Sequence, residues 1–205
     1  MHDEIAEILM FWFGSTDLMA DVDAERQAMW WQGGADLDAQ IAAQFGALHA
    51  LAAAGQLDHW RASLHGRLAL ILLLDQLSRN IHRGTPFAFA QDEAARALTL
   101  TALDLSLHHD LSLHQQTFLL MPLEHAEDLA LQERSVAAFS TLVASAPAAQ
   151  KDTAAYLLSF AITHRDIIAR FGRFPHRNAL LGREPTAEES AWLAAGGAHF
   201  GQTKG

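Results

Sequence analysis

Apolar residues recur along this chain at three- and four-residue intervals, and glycine or proline breaks the pattern repeatedly. That spacing is the signature of amphipathic helices. Asp3 is placed to cap a first helix that stops at Gly14. Trp30 and Trp31 lead into a break at Gly33-Gly34. Asp36 then caps a helix whose stripe is Leu37, Ile41, Phe45, Leu48 and Leu51, ending near Gly55. From Arg67 to about Ile81 the chain is most apolar. Leu68 to Leu74 is apolar all round, which predicts a central helix with neighbours on every side. Gly84-Thr85-Pro86 ends it. Further helices are expected over about 87–104, over 112–121, from Leu123 just after Pro122 to about Ser145, and from Asp152 or Thr153 to Phe171, where Gly172 stops the run. Thr186 and Glu189 form a capping box for a last helix ending at Gly196-Gly197. The tail after Phe200 is expected to fray. No stretch alternates in the manner of strands. The fold class is therefore all-α: one domain over 1–205, with eight or nine helices in antiparallel α/α hairpins.

Composition narrows the chemistry. Half of the 205 residues are apolar and 19% are charged, a globular balance. With no cysteine, the chain has no disulfide, zinc–thiolate site, iron–sulfur cluster or cysteine nucleophile. Acids at Asp3, Glu4 and Glu7 precede the first apolar stretch, opposite to the charge order of a signal peptide. The longest apolar run, Leu68 to Leu74, is far short of the ~20 residues that span a bilayer. A cytoplasmic location is expected. The net charge of −10 argues against binding to nucleic acid or to anionic membrane.

Charge placement points to a site. Residues 164–183, HRDIIARFGRFPHRNALLGR, hold five arginines and two histidines against one acid, Asp166. This segment carries +4 while the rest of the chain carries −14. Charge set against the trend of a chain usually meets an anion, internal or external. Within the segment, His164 falls on the inward stripe of its helix, three after Ala161 and four before Ile168. Arg173, His176, Arg177 and Asn178 sit on a turn stiffened by Pro175. Their bland reading is an internal network with Glu124, Glu127 and Asp128; their functional reading is a fork for carboxylate or phosphate.

Two other segments join them. Asp75 interrupts the apolar helix, with Arg79 four residues on and on the same face. That is either a simple i,i+4 ion pair or a buried pair lining a pocket. In Pro122-Leu-Glu-His-Ala-Glu-Asp128, Pro122 reads as a helix start, which places Glu124, Glu127 and Asp128 in first turns favoured by the helix dipole. His125 and Asp128, three apart, have the spacing of two metal ligands or of an acid–histidine dyad. P-loop, dinucleotide, nucleophile-elbow and kinase signatures are absent from the sequence. Phe11, Trp12, Phe13, Trp30 and Trp31 read as core rather than as a base-stacking platform.

The strings LALILLLDQLSRNIHRGTPFAFAQD (68–92), MPLEHAEDLALQE (121–133) and HRDIIARFGRFPHRNALLGR (164–183), with FWFG (11–14) and the Trp30-Trp31 region, resemble the bacterial family of unknown function called DUF924. The resemblance implies an all-helical fold similar to tetratricopeptide-like α/α superhelices, and no established activity. The family usually has Phe-Pro where this chain has Leu77-Ser78, and serine where it has Ala126. The second difference removes a hydroxyl beside His125.

Together these features lead us to expect one polar pocket formed by Asp75, Arg79, Asn80, Glu124, His125, Asp128, His164, Arg173, His176, Arg177 and Asn178. The first expectation is binding of a small anionic molecule or a peptide carboxylate, clamped by Arg79, Arg173 and Arg177. The second is a metal-dependent hydrolase using His125, His164 and His176 with Glu124 or Asp128. There Asp75, His125 and His164 are the catalytic candidates, and His125, Asp128 and His164 the candidate metal ligands. The third is a structural or protein-interaction module with an internal charge network. The sequence names no cofactor. A homodimer is the default expectation for its oligomeric state.

Overall fold

The computed structural model describes residues 3–201. The last residues of the tail, 202–205, lie outside the described residues. Of the described residues 73% are helical and none is in a strand; besides short 3₁₀ turns they form nine helices. In chain order they are α1 (Glu4–Phe13), α2 (Ala24–Gln32), α3 (Ala35–Ala53), α4, α5 (Asp92–Asp104), α6 (Leu113–Glu124), α7 (Leu129–Ser145), α8 (Lys151–Phe171) and α9 (Ala187–Ala194). The rod α4 has three parts: an α-helical Leu64–Ile71, a π-helical turn Leu72–Leu77, and a last α-helical turn Ser78–Ile81. Short 3₁₀ turns such as Asp58–Ala62, Pro86–Phe89 and Pro175–Arg177 connect the helices. Among the described residues no helix is long and apolar enough to cross a membrane.

The caps follow side-chain chemistry. Asp3 accepts from the Ala6 amide and Ser63 from the Gly66 amide, each satisfying an amide that the first turn leaves open. Gly14 and Gly172 end α1 and α8 in the left-handed conformation that glycine adopts without strain. Thr186 and Glu189 form the reciprocal capping box of α9. Asp36 does not cap: α3 starts at Ala35 behind Gly34, so Asp36 lies in the first turn, where the dipole still favours it.

Every residue from Gly66 to Asp75 on α4 is buried, as an apolar run without a polar face requires. Around it pack α1, α3, α5 and α6, while α7 and α8 pair through the short connection 146–150. Phe118 centres an aromatic cluster, with ring centroids 4.7 Å from Trp30, 5.4 Å from Trp12 and 5.6 Å from Phe13. A second, small core of Ile167, Ile168 and Phe174 holds the C-terminal region with Trp192 and Phe200.

One segment differs from the sequence expectation in a way that shapes the site. Pro122 does not begin a helix; it lies inside α6, which continues to Glu124. Helix α6 is buried along its whole second half, from Thr117 to Glu124. Packing there outweighs the hydrogen bond that proline cannot make. The next helix starts only at Leu129, and Asp128 caps it by accepting from the Leu131 amide at 3.0 Å. Glu124 therefore ends a helix instead of opening one.

Candidate functional site

A cavity of about 320 Å³ opens between α2, α4, α6 and α8. One wall is apolar and aromatic: Trp12, Met29, Trp30, Trp31, Leu37, Met121, Leu157 and Phe160. The other is polar: Gln76, Arg79, Asn80, Arg83, Glu124, His125 and His164. Five residues that the sequence singled out, from three distant segments, thus line one cavity: Arg79, Asn80, Glu124, His125 and His164. A shallower groove of about 650 Å³ on the α1–α3 side, past Met10, Arg26 and Gln44, has no buried lining residue.

The π-turn sets the geometry of the polar wall. A π-turn inserts one residue into the α-helical register, and such turns are concentrated at functional sites. Asp75 lies within it, fully buried, just behind the wall. Its Oδ1 accepts from Arg79 at 3.1 Å and lies 2.6 Å from His125 Nδ1, while Gln76 Nε2 donates to its Oδ2 at 2.6 Å. Burial alone would raise the Asp75 pKa; His125 and Arg79, helped by the donors on His125 and Gln76, hold it well below the usual carboxylate range. Arg79 also donates to Asp92 at 2.8 Å, and Asp92 reaches Arg177 at 3.2 Å. The chain Asp75–Arg79–Asp92–Arg177 alternates sign throughout, which is what permits four charges in a protein interior.

The tautomer of His125 follows from its partner. An ionised carboxylate only accepts, so Nδ1 carries the proton and Nε2 holds the lone pair. Burial and the nearby Arg79 lower the His125 pKa against the pull of Asp75, so the ring is neutral. His125 lines the cavity, and with Nδ1 engaged by Asp75 it is Nε2 that is left to meet a ligand.

Glu124 has the opposite surroundings. It is 3% exposed and its carboxyl lies 3.4 Å from His164 Nδ1, which donates at 2.8 Å to the Phe160 carbonyl. Burial, reinforced by the Asp75 charge, pushes the Glu124 pKa up to about 8. Burial, with His125 beside it, drives His164 down to about 3. His176 falls to about 3 through burial and its neighbour Arg177. At neutral pH the wall thus offers a neutral carboxylic acid and neutral imidazoles.

The other expected residues lie elsewhere. His176 and Arg177 line a small adjoining cavity of about 30 Å³ with Arg79 and Phe89, and the Arg177 guanidinium sits 4.5 Å above Phe89 and 4.6 Å above Phe174. Asp128 is a helix cap. Arg173 faces away: its guanidinium pairs with Glu189 at 2.6 and 2.8 Å and donates to the Glu184 carbonyl at 2.9 Å. Asn178 donates to the same Glu189 at 3.1 Å and accepts from Arg183 at 3.0 Å. Arg183 in turn binds Glu127, which also accepts from the Phe174 amide at 2.7 Å. Much of the positive charge of 164–183 is thus spent internally, and the clamp that included Arg173 is not formed. Among the described residues, no group of three or more histidines and acids gathers where it could hold a metal ion.

Several participants were not read from the sequence. Asp92, in the first turn of α5, gives the buried Arg79 a second counter-charge. The aromatic wall read as pure core, yet Trp31 is 55% exposed at the cavity. Asp38 holds Asn80 at 2.8 Å and Arg83 at 2.6 Å. Phe200 stacks on His164 at 4.0 Å, and the Gly201 carbonyl accepts from Arg83 at 2.6 Å, so the C-terminal segment crosses the cavity edge.

The comparisons agree with the fold. The profile of the family described as "Bacterial protein of unknown function (DUF924)" matches residues 8–197. A solved protein of unknown function from Agrobacterium tumefaciens, ATU0120, is 34% identical; the match covers 93% of this chain and 97% of that one, with a TM-score of 0.77. Among curated proteins, none matches. The chain, which carries these three segments and is matched over nearly its full length, belongs to the DUF924 family.

Proposed function

We propose that the chain binds a small molecule in the 320 Å³ cavity, with an apolar body against Trp30, Trp31 and Leu157 and an anionic head toward Arg79, Asn80 and Arg83. The observation that carries this reading is the division of the lining. The two arginines line the cavity, whereas the carboxylates that balance them, Asp75, Asp92 and Asp38, stand behind it. A ligand therefore meets donors first. A cavity of this size, mostly apolar with a few convergent polar groups, is the usual form of a small-molecule site. The hydrolase reading has less support, because among the described residues no three histidines and acids converge as a metal-holding group.

The test is calorimetric titration of tag-free protein with phenylacetate, phenyl phosphate and phenylacetamide. Saturable binding of an anion, weaker for the neutral amide and weakened again in Trp31→Ala, is the expected result. Absence of binding by all three, or equal binding of acid and amide, would leave the cavity as structural packing.

A further inference from the structure

We propose that the cavity catalyses proton transfer at a carbon atom next to a carbonyl group, with His125 Nε2 as the base and the Glu124 carboxyl as the acid. The inference rests on the ligand-binding reading above and adds a reaction class to it. Three observations carry it. First, His125 lines the cavity and is held through Nδ1 by a 2.6 Å contact to a buried carboxylate on a π-turn, a fixed dyad that leaves Nε2 as the free nitrogen. Second, Glu124 lines the same cavity from the adjacent sequence position, with only a 3.4 Å contact to His164 at its carboxyl. Third, among the described residues of the lining Thr117 is the one hydroxyl residue, and that hydroxyl donates to the Leu113 carbonyl at 2.9 Å.

The charged and titratable groups around the pair are Asp75 and Arg79 from α4, Asp92 from α5, His164 from α8, and Arg177 from the 175–177 turn. This surrounding separates the two roles at one pH. His125 stays neutral and able to accept, while Glu124 stays protonated and able to give. Titratable groups whose environments push them apart in this way mark acid and base assignments.

The step balances without a co-reactant. His125 Nε2 takes the proton from the carbon next to the carbonyl. The C–H electron pair becomes the C=C bond, and the carbonyl π pair moves to oxygen, which takes the Glu124 proton. The result is an enol, an imidazolium next to the Asp75 carboxylate, and a Glu124 carboxylate. Return of the imidazolium proton to carbon, and of the enol proton to Glu124, restores the site. The net result is exchange of that hydrogen with solvent, through the imidazolium, in a carbonyl compound that also carries the anionic head.

Phenylpyruvate is the probe: an aromatic ring, a carboxylate, and a CH₂ group next to a ketone. Exchange of its CH₂ protons in D₂O is followed by proton NMR, with binding measured in parallel. The wild-type protein is expected to exceed buffer, and His125→Gln to lose about 10²-fold or more, the usual contribution of a positioned base. In Glu124→Gln the amide still donates but transfers no proton, so the rate falls less and the loss of activity above about pH 8 disappears. Bound phenylpyruvate that exchanges no faster than in buffer, or exchange untouched in His125→Gln, overturns the proton-transfer inference and leaves the binding reading standing. Failure to bind removes the binding reading, and the inference with it. Should His125→Gln not fold, nitrogen-15 NMR of the wild-type imidazoles decides: Nδ1–H with a bare Nε2 at neutral pH is expected, and an imidazolium or Nε2–H form overturns the proposal.

Discussion

Replacing Glu124 with glutamine should make the protein more stable in mild alkali. The reason lies in the proton the native state keeps. In the unfolded chain this carboxyl ionises at its ordinary 4.5; in the fold, burial and Asp75 raise it to about 8. A group raised in this way gives stability that is fully present below the unfolded pKa and is lost as pH rises through the folded one. The loss is about 1.4 kcal/mol per pH unit while only the unfolded state has released its proton. Histidines complicate the lower part of that window. His164 and His176 are lowered to about 3, so their stability is present above their ordinary 6.5 and is lost as pH falls. Between pH 6.5 and 8 the Glu124 contribution stands apart, and the slope gives about 2 kcal/mol. For a chain of this size that is roughly 4–8 °C in melting temperature. The assay is urea unfolding of the wild type and Glu124→Gln at pH 5, 6.5, 8 and 9. Taking the difference between the two proteins cancels the histidine terms. The gap should widen from pH 5 to 8 in favour of the variant and then level off. Parallel curves across that range would refute a protonated, buried Glu124.

Other substitutions separate the cavity from its surroundings. Arg79→Met strands Asp75 and Asp92 without their shared cation and should cost about 3–5 kcal/mol at neutral pH in chemical denaturation, the usual cost of breaking a buried pair. Arg173→Ala cuts the link to Glu189 and should lower the melting temperature while leaving phenylacetate affinity unchanged; a large affinity loss would return Arg173 to the site. Gly66→Ala places a methyl group against the Trp60 carbonyl oxygen, a backbone atom that cannot swing aside, so strong destabilisation by circular dichroism is expected.

The helical frame was legible because it rests on local rules. Gly14 and Gly172 stop their helices, Thr186 and Glu189 cap theirs, and the run from Leu68 to Leu74 is buried on all sides. The Asp75–Arg79 pair was legible for the same reason, as a spacing on one helix. What escaped depends on tertiary packing. The π-turn in Leu-Leu-Leu-Asp-Gln-Leu has no residue signature of its own. Pro122 carries a strong local rule, helix start, which burial of α6 overrode. That one displacement reversed the reading of Glu124, from a carboxylate favoured at a helix start to a neutral acid buried at a helix end. The charge inversion in 164–183 was real, yet Arg173 and Arg183 meet internal acids, Glu189 and Glu127, and only Arg177 approaches the cavity system.

The most direct measurement of the central claim uses the five tryptophans as reporters. Trp12, Trp30 and Trp31 line the cavity, while Trp60 and Trp192 lie elsewhere. Nitrogen-15-labelled protein is titrated with phenylacetate, and the indole N–H and His125 imidazole signals are followed. If the cavity is a ligand site, Trp30, Trp31 and His125 shift together along one saturable curve while Trp60 and Trp192 stay still. If no signal moves, or if Trp60 or Trp192 moves instead, the cavity is not where this protein meets a small anion.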